Sequence, residues 1–132
     1  MPITFDIREN GWVIYKTLTD PWSVEEMIPY VVMNRQHRDH CLHTVHSFYN
    51  LLGSHRLPPN VLRLRYGSPD LYHPRSGKVV LVGANPAARS VIEIIFTLVR
   101  FERFKFFSTE EEGWAYLHNF IESSQVTKDS TA

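Results

Sequence analysis

Apolar and polar positions follow two different periods along this chain, and these periods predict its secondary structure. The segments Ile3–Arg8 and Trp12–Leu18 alternate between apolar and polar side chains, as strands with one buried face do. Asn10-Gly11 lies between the two segments and is typical of a tight hairpin turn. The sequence therefore predicts that the chain begins with two antiparallel strands.

The next apolar pattern has the period of a helix. Ser23 and Glu26 form a capping box in front of it, which predicts a helix N-terminus. Pro29 falls inside the pattern and predicts a kink or a later start of the helix. The predicted apolar stripe consists of Val24, Met27, Ile28 and Val31.

A short β-branched run at Val79–Val82 predicts a strand that is buried on both faces and lies at the centre of the sheet. Asn85 is a favourable N-cap, and Pro86 occupies the first position of the helix that follows. A strand that leads into a packed crossover helix is the core unit of an α/β domain. The inward stripe of this helix is predicted to be Ala88, Val91, Ile92, Ile95, Leu98 and Val99.

The remaining segments complete an α/β domain. Thr44–Asn50 and Phe104–Phe107 are predicted strands, a short helix is predicted to begin at Pro58, and Ser108 or Thr109 caps a final helix. The predicted order is β-β-α-β-α-β-α-β-α, a mixed, mostly parallel five-stranded sheet with four helices, over residues 1–122. Residues 123–132 are polar and are predicted to form a C-terminal tail.

Composition and charge restrict the class of partner and the compartment. The 14 basic and 14 acidic residues give zero net charge, so there is no electrostatic case for binding nucleic acid or an anionic membrane. The single Cys41 excludes an internal disulfide and fits a reducing compartment. The sequence has no apolar run of about 18 residues. We therefore expect a cytoplasmic protein without nucleic-acid or membrane partners.

In this order of elements the chain resembles the SpoIIAA-like, or STAS, domain, the fold of anti-sigma-factor antagonists and of the cytoplasmic domains of sulfate transporters. The resemblance covers about residues 3–121 and lies in the opening hairpin, NLLGSHRLPPNVL at Asn50–Leu62, VVLVGANPAAR at Val79–Arg89 and RFKFFSTEEEGWAYL at Arg103–Leu117. It implies a bacterial regulatory module that acts by protein–protein contacts, with no cofactor and no catalytic residues. It also implies helices that wind along one side of the sheet. A flavodoxin-like fold, with helices on both faces, is the competing interpretation.

The family's phosphorylation switch is missing at the matching positions. Phosphorylated members carry an Asp at the end of the third strand and a Ser at the start of the next helix. Asn50 matches the Asp and Pro59 matches the Ser, so the hydroxyl that a kinase would modify is absent. Ser54 lies in the turn before that helix. The resemblance therefore implies the scaffold without its switch, with Asn50 and Ser54 as candidate partner-binding residues.

A histidine-rich segment provides the main alternative. His37, His40 and His43 recur every three residues around Cys41, and imidazole and thiolate groups bind Zn²⁺ well. These four residues are the candidate metal ligands of a small metal-dependent or thiol enzyme. His46 continues the spacing of three, but residues three apart on a strand point to opposite faces, which would separate His43 from His46. The other interpretation is a histidine-rich loop on a solvated edge.

The helix after Pro86 also carries more apolar residues than one buried stripe needs. Ile94, Phe96 and the following Phe101 are the additional residues. One interpretation is a protein–protein surface, since exposed apolar patches mark such surfaces. The other is that a neighbouring element covers them. On the first interpretation we expect a homodimer and a further protein partner that the sequence does not identify.

Overall fold

The protein is a five-stranded α/β fold. The computed structural model describes residues 2–63 and 72–130, with side chains as far as Ser123. Within these residues the elements are β1 (Ile3–Arg8), β2 (Val13–Thr19), α1 (Val24–His40), β3 (Val45–Gly53), β4 (Ser76–Val82), α2 (Pro86–Leu98), β5 (Phe104–Phe107) and α3 (Glu110–Ser130).

The strands follow one another across the sheet in chain order, β1-β2-β3-β4-β5. β1 is antiparallel to β2, and the other neighbouring strands are parallel. This confirms the predicted α/β class with a mixed, mostly parallel sheet. The run Val79–Val82 is buried on both faces as predicted, but it lies in the fourth strand, and β3 is the middle one. A flavodoxin-like sheet, in contrast, has a strand order that departs from chain order.

The opening hairpin is confirmed. β1 and β2 pair from Ile3 opposite Leu18 to Arg8 opposite Val13. A single 3₁₀ turn at Glu9–Gly11 joins them, and its residues have positive φ angles. Asn and Gly adopt this left-handed backbone at low cost, which explains why Asn-Gly signals the turn so clearly.

Helices cover both faces of the sheet. The crossover helices α1 and α2 pack on one face, where Met27 and Phe96 join the same apolar cluster as Leu51 and Leu81. α3 packs on the opposite face, with Leu117 in a second cluster. The prediction that the helices wind along one side therefore holds for α1 and α2 only. α3 follows the last strand and does not have to return to the sheet, so it is free to cover the apolar side chains of the other face.

The predicted helix caps are confirmed by local hydrogen bonds. The Glu26 N–H donates to Ser23 Oγ at 3.1 Å at the start of α1. The Ala88 N–H donates to Asn85 Oδ1 at 2.8 Å at the start of α2. α3 is capped by Thr109, whose Oγ1 accepts from a backbone N–H at 3.2 Å.

Three boundaries differ from the sequence predictions. α1 runs through Pro29 without a late start and continues to His40, so His37 and His40 are helical and only the segment after them is a loop. Within the described residues, the helix predicted from Pro58 is a single 3₁₀ turn at 61–63, and residues 64–71 lie outside them. Most of the predicted tail, as far as Ser130, continues α3. In the described part of the chain, no helix is both long and apolar enough to span a membrane.

Candidate functional site

The last turn of α1 is fixed by a buried arginine, and this determines where the histidines point. Arg38 is 1% exposed, and its Nη2 donates to the Val45 carbonyl at 3.1 Å and to Ser47 Oγ at 2.9 Å. The turn is thereby anchored to β3 through Arg38. His37 and His40, on either side of it in sequence, are bound to other groups.

The candidate metal ligands His37, His40, His43 and Cys41 do not form one site. His40 Nδ1 donates to the Gln36 carbonyl at 2.7 Å, and His43 Nδ1 donates to the Thr44 carbonyl at 3.0 Å. Over residues 2–63 and 72–123, no three His, Cys, Asp or Glu side chains converge in a way that could hold a metal ion. The helix ends at His40, so the residues beyond it leave the face that the spacing of three requires.

Cys41 and His37 are close, but their geometry does not activate the thiol. His37 Nε2 lies 2.9 Å from the Gly11 carbonyl and 3.4 Å from Cys41 Sγ. Because a carbonyl only accepts, Nε2 must carry the proton and cannot take one from the thiol. Burial also raises the pKa of the Cys41 thiol, which disfavours the nucleophilic thiolate.

His46 is buried in β3. Its Nδ1 accepts the Lys78 backbone N–H at 2.9 Å. Burial, and secondarily the charge of Lys78, lowers the pKa of His46 to about 4. The imidazole is therefore neutral at physiological pH, with its proton on Nε2.

Asn50, which matches the family's Asp position, takes part in a hydrogen-bond network between elements. Its Nδ2 donates to the Tyr15 hydroxyl at 3.1 Å, and its Oδ1 accepts the Leu52 N–H at 3.0 Å. The Tyr15 hydroxyl in turn donates to Glu110 Oε1 at 2.6 Å. Asn50 thus links the end of β3 to β2 and, through Tyr15, to α3.

Ser54 is buried, and its hydroxyl does not reach the surface. Its Oγ accepts from the Trp22 indole N–H at 2.9 Å, and the residue is 3% exposed. The Asp20 carboxylate accepts the next backbone N–H, from His55, at 2.7 Å and so holds the same turn. The Ser54 side chain therefore has a structural role and does not join Asn50 in an accessible surface.

The predicted apolar patch is corrected by the structure. Phe96 and Phe101 are 8% and 3% exposed, and only Ile94, at 51%, faces outward. The Phe96 ring packs against Phe104 of β5 with 4.4 Å between ring centroids, and this contact contributes to its burial. Leu98, predicted to point inward, is 55% exposed instead.

The exposed apolar residues form rows on both crossover helices. Ile28 and Val32 on α1 are 54% and 53% exposed and are four residues apart. Ile94 and Leu98 on α2 have the same spacing and similar exposure. Residues four apart share one helix face, so each pair forms a continuous apolar row. The sequence did not predict the row on α1, because the helical period places Ile28 in the buried stripe.

A cavity of about 130 Å³ lies between α1 and α2, above the sheet. Its walls are mainly apolar, and its polar side chains come from Lys16, Asn34 and Tyr49. Lys16 and Asn34 are each 1% exposed, and Lys16 Nζ lies 5.1 Å from the centroid of the Tyr49 ring. The sequence could have predicted the burial of Lys16. Side chains two apart on a strand lie on the same face, and Ile14 and Leu18, two positions before and after Lys16, are apolar.

Comparison with known proteins returned no matching family model, no matching curated protein and no matching solved structure.

Proposed function

We propose that this protein is a non-enzymatic, STAS-like regulatory module of the bacterial type that acts through protein–protein contacts, first of all with a second copy of itself. The sequential strand order, with an antiparallel first strand and two crossover helices on one face, supports the STAS-like part of the proposal. The interaction part is carried by one observation, the exposed apolar rows on α1 and α2.

The two rows lie on helices that pack on the same face of the sheet. Each of Ile28, Val32, Ile94 and Leu98 leaves more than half of its surface in water. Covering apolar surface gains about 25 cal/mol per Å², so a contact of several hundred Å² offsets the cost of association. Zero net charge adds no long-range repulsion between copies.

The contacts and burial of the other candidate residues support two parts of the proposal, that the protein is not an enzyme and that it lacks the phosphorylation switch. The Cys41 thiol has a raised pKa, and the neighbouring His37 Nε2 already carries a proton. Ser54 is enclosed with Trp22, and Pro59 has no hydroxyl. These observations give the thiol or metal enzyme no support, and they give a kinase no accessible serine at the position where the family is modified.

Sedimentation equilibrium of the full chain tests the dimer. We expect wild type to be dimeric at high micromolar concentration and Leu98→Glu to be monomeric, because the substitution places a charge in the contact. The variant should melt cooperatively, at the temperature found for wild type diluted to the monomeric range. Leu42→Glu is the matched control, since Leu42 is 89% exposed and lies outside both helices. A monomeric wild type, or equal effects of both substitutions, would contradict the proposal.

Mass spectrometry tests the absence of the switch. After incubation with an anti-sigma-type kinase and ATP, we expect the protein to remain unmodified around Pro59. Phosphate on Ser54 would show that the turn opens and replaces the missing serine, and that part of the proposal would then be wrong.

A further inference from the structure

We propose that the cavity between α1 and α2 is a binding site for one small, neutral molecule without polar groups, of about the size of benzene. The cavity volume of about 130 Å³ is close to that of apolar protein cavities that hold one benzene molecule, about 150 Å³. This volume limits the ligand to roughly one ring or a short branched chain.

The cavity lies inside the larger apolar cluster of the protein, where close packing is expected. Protein interiors contain few voids larger than a water molecule. Here buried side chains from three strands and both crossover helices border a much larger space, among them Leu18, Leu51, Leu81, Met27 and Ile92. A mainly apolar wall of this kind fits an apolar molecule, which gains dispersion contacts that the empty cavity lacks.

The polar side chains on the wall exclude a polar or charged ligand, because their interactions are already made within the protein. The Trp22 indole N–H donates to Ser54 Oγ at 2.9 Å. Lys16, Asn34 and Tyr49 also have interaction partners in the protein. A polar group on the ligand would lose its contacts with water and meet no free side chain among the described residues of the wall, which is unfavourable.

The same lack of free polar groups makes water a poor occupant of the cavity. A buried water molecule needs about two to four polar partners, and apolar cavities of about this size stay dry and take up benzene or xenon instead. The exposed rows Ile28/Val32 and Ile94/Leu98 do not line the cavity. The ligand site and the proposed dimer therefore rest on different residues.

Titration of the full wild-type chain with benzene and with phenol, followed by ¹H–¹⁵N NMR, tests the inference without any substitution. The two compounds share the ring, but phenol adds a hydroxyl group for which the wall has no free partner. We expect benzene to bind at about millimolar concentration, about tenfold more tightly than phenol, and to shift the signals of cavity-lining residues. Absence of benzene binding at these concentrations, equal affinities, or shifts confined to other residues would overturn the proposal.

Two neighbouring valines of α1 then locate the site. Val31 lines the cavity, whereas Val32 is 53% exposed and lies outside it. Val31→Phe adds a ring to the cavity wall, so we expect the affinity for benzene to fall at least about tenfold. Val32→Phe is the matched control and should keep the wild-type affinity.

Thermal unfolding provides a second measurement on the same variants. A ligand that binds only the folded state stabilises it, so benzene should raise the melting temperature of wild type and of Val32→Phe but not of Val31→Phe. Wild-type affinity for benzene in a folded Val31→Phe protein would contradict the assigned location. If Val31→Phe does not fold, the comparison of benzene with phenol on wild type decides the proposal.

Discussion

The Tyr15 hydroxyl donates a hydrogen bond of 2.6 Å to Glu110 Oε1 and so joins β2 to the first turn of α3 across 95 positions of the chain. Asn50 Nδ2 donates to the same hydroxyl oxygen at 3.1 Å. The Arg8 guanidinium lies 3.7 Å from the centroid of the Tyr15 ring. α3 is therefore held on its face of the sheet by a polar link as well as by apolar contacts.

Removing the Tyr15 hydroxyl should destabilise the protein. Tyr15→Phe loses a hydrogen bond to a carboxylate and leaves Asn50 Nδ2 without that acceptor, so we expect the free energy of unfolding to fall by about 1–2 kcal/mol. Urea unfolding measures the change. In a double-mutant cycle with Glu110→Gln the two effects should couple, whereas Glu111→Gln, in the same helical turn, should show no coupling. Purely additive effects of Tyr15→Phe and Glu110→Gln would argue against the link.

Phe96 should behave as a core residue and Ile94 as a surface residue. Phe96→Ala removes a ring that packs against Phe101 and Phe104, so we expect a loss of about 3–5 kcal/mol in the free energy of unfolding. Ile94→Ala, two positions away, should change it by less than about 0.5 kcal/mol at protein concentrations where the chain is monomeric, because Ile94 is half exposed. If both variants lost a similar free energy of unfolding at these concentrations, the two side chains would be equally buried, contrary to the structure.

The close approach of α3 to the sheet should make Gly113 intolerant of a side chain. A Cβ atom there would lie 2.9 Å from Val80 Cγ1 and 3.0 Å from Phe48 Cε2. Replacing a helical glycine by alanine gains up to about 1 kcal/mol, but overpacking costs about 1–3 kcal/mol, so we expect Gly113→Ala to be net destabilising.

Asn119→Ala is the control for the helical contribution alone, because Asn119 is exposed on the same helix. We expect this variant to be slightly more stable than wild type in urea unfolding. A gain in stability from Gly113→Ala as well would show that α3 can move away from the sheet at little cost.

Buried His46 should make stability depend on pH. Its pKa is about 4 in the folded protein, compared with 6.5 when unperturbed. Above pH 6.5 the imidazole is neutral in both states and has no effect. As the pH falls from 6.5 to about 4, the unfolded chain binds a proton that the folded protein does not, so stability is lost over this range. Below that range both states are protonated and the loss is complete.

His46→Asn tests this dependence, because the amide does not titrate and its carbonyl can replace Nδ1 as the acceptor of the Lys78 N–H. Between about pH 7 and about pH 5, we expect wild type to lose roughly 2 kcal/mol more stability than the variant in urea unfolding. His40→Asn, at an exposed histidine, should keep the wild-type dependence. Equal losses in wild type and His46→Asn would exclude His46 as the cause.

The sequence by itself determined the features that depend on residues close together in the chain. The hairpin follows from the strand period around Asn10-Gly11, and the helix starts follow from caps that bind a backbone N–H three residues away. The strand Val79–Val82 follows from its continuous apolar run. Each of these depends on torsion preferences and hydrogen bonds within a few positions, and a local pattern records such interactions directly.

Only the tertiary structure decided which side chains are covered and by what. An apolar helix residue such as Phe96 or Leu98 is buried or exposed according to where β5 lies, and the helical period cannot supply that position. The position of Lys16 in the strand alternation predicts its face of the sheet. The cavity that it lines, however, depends on the spacing between α1 and α2. The face chosen by α3 likewise depends on contacts such as Tyr15–Glu110, which form between elements that are distant in sequence. Burial is a property of assembled elements, and the sequence pattern of any single element does not contain it.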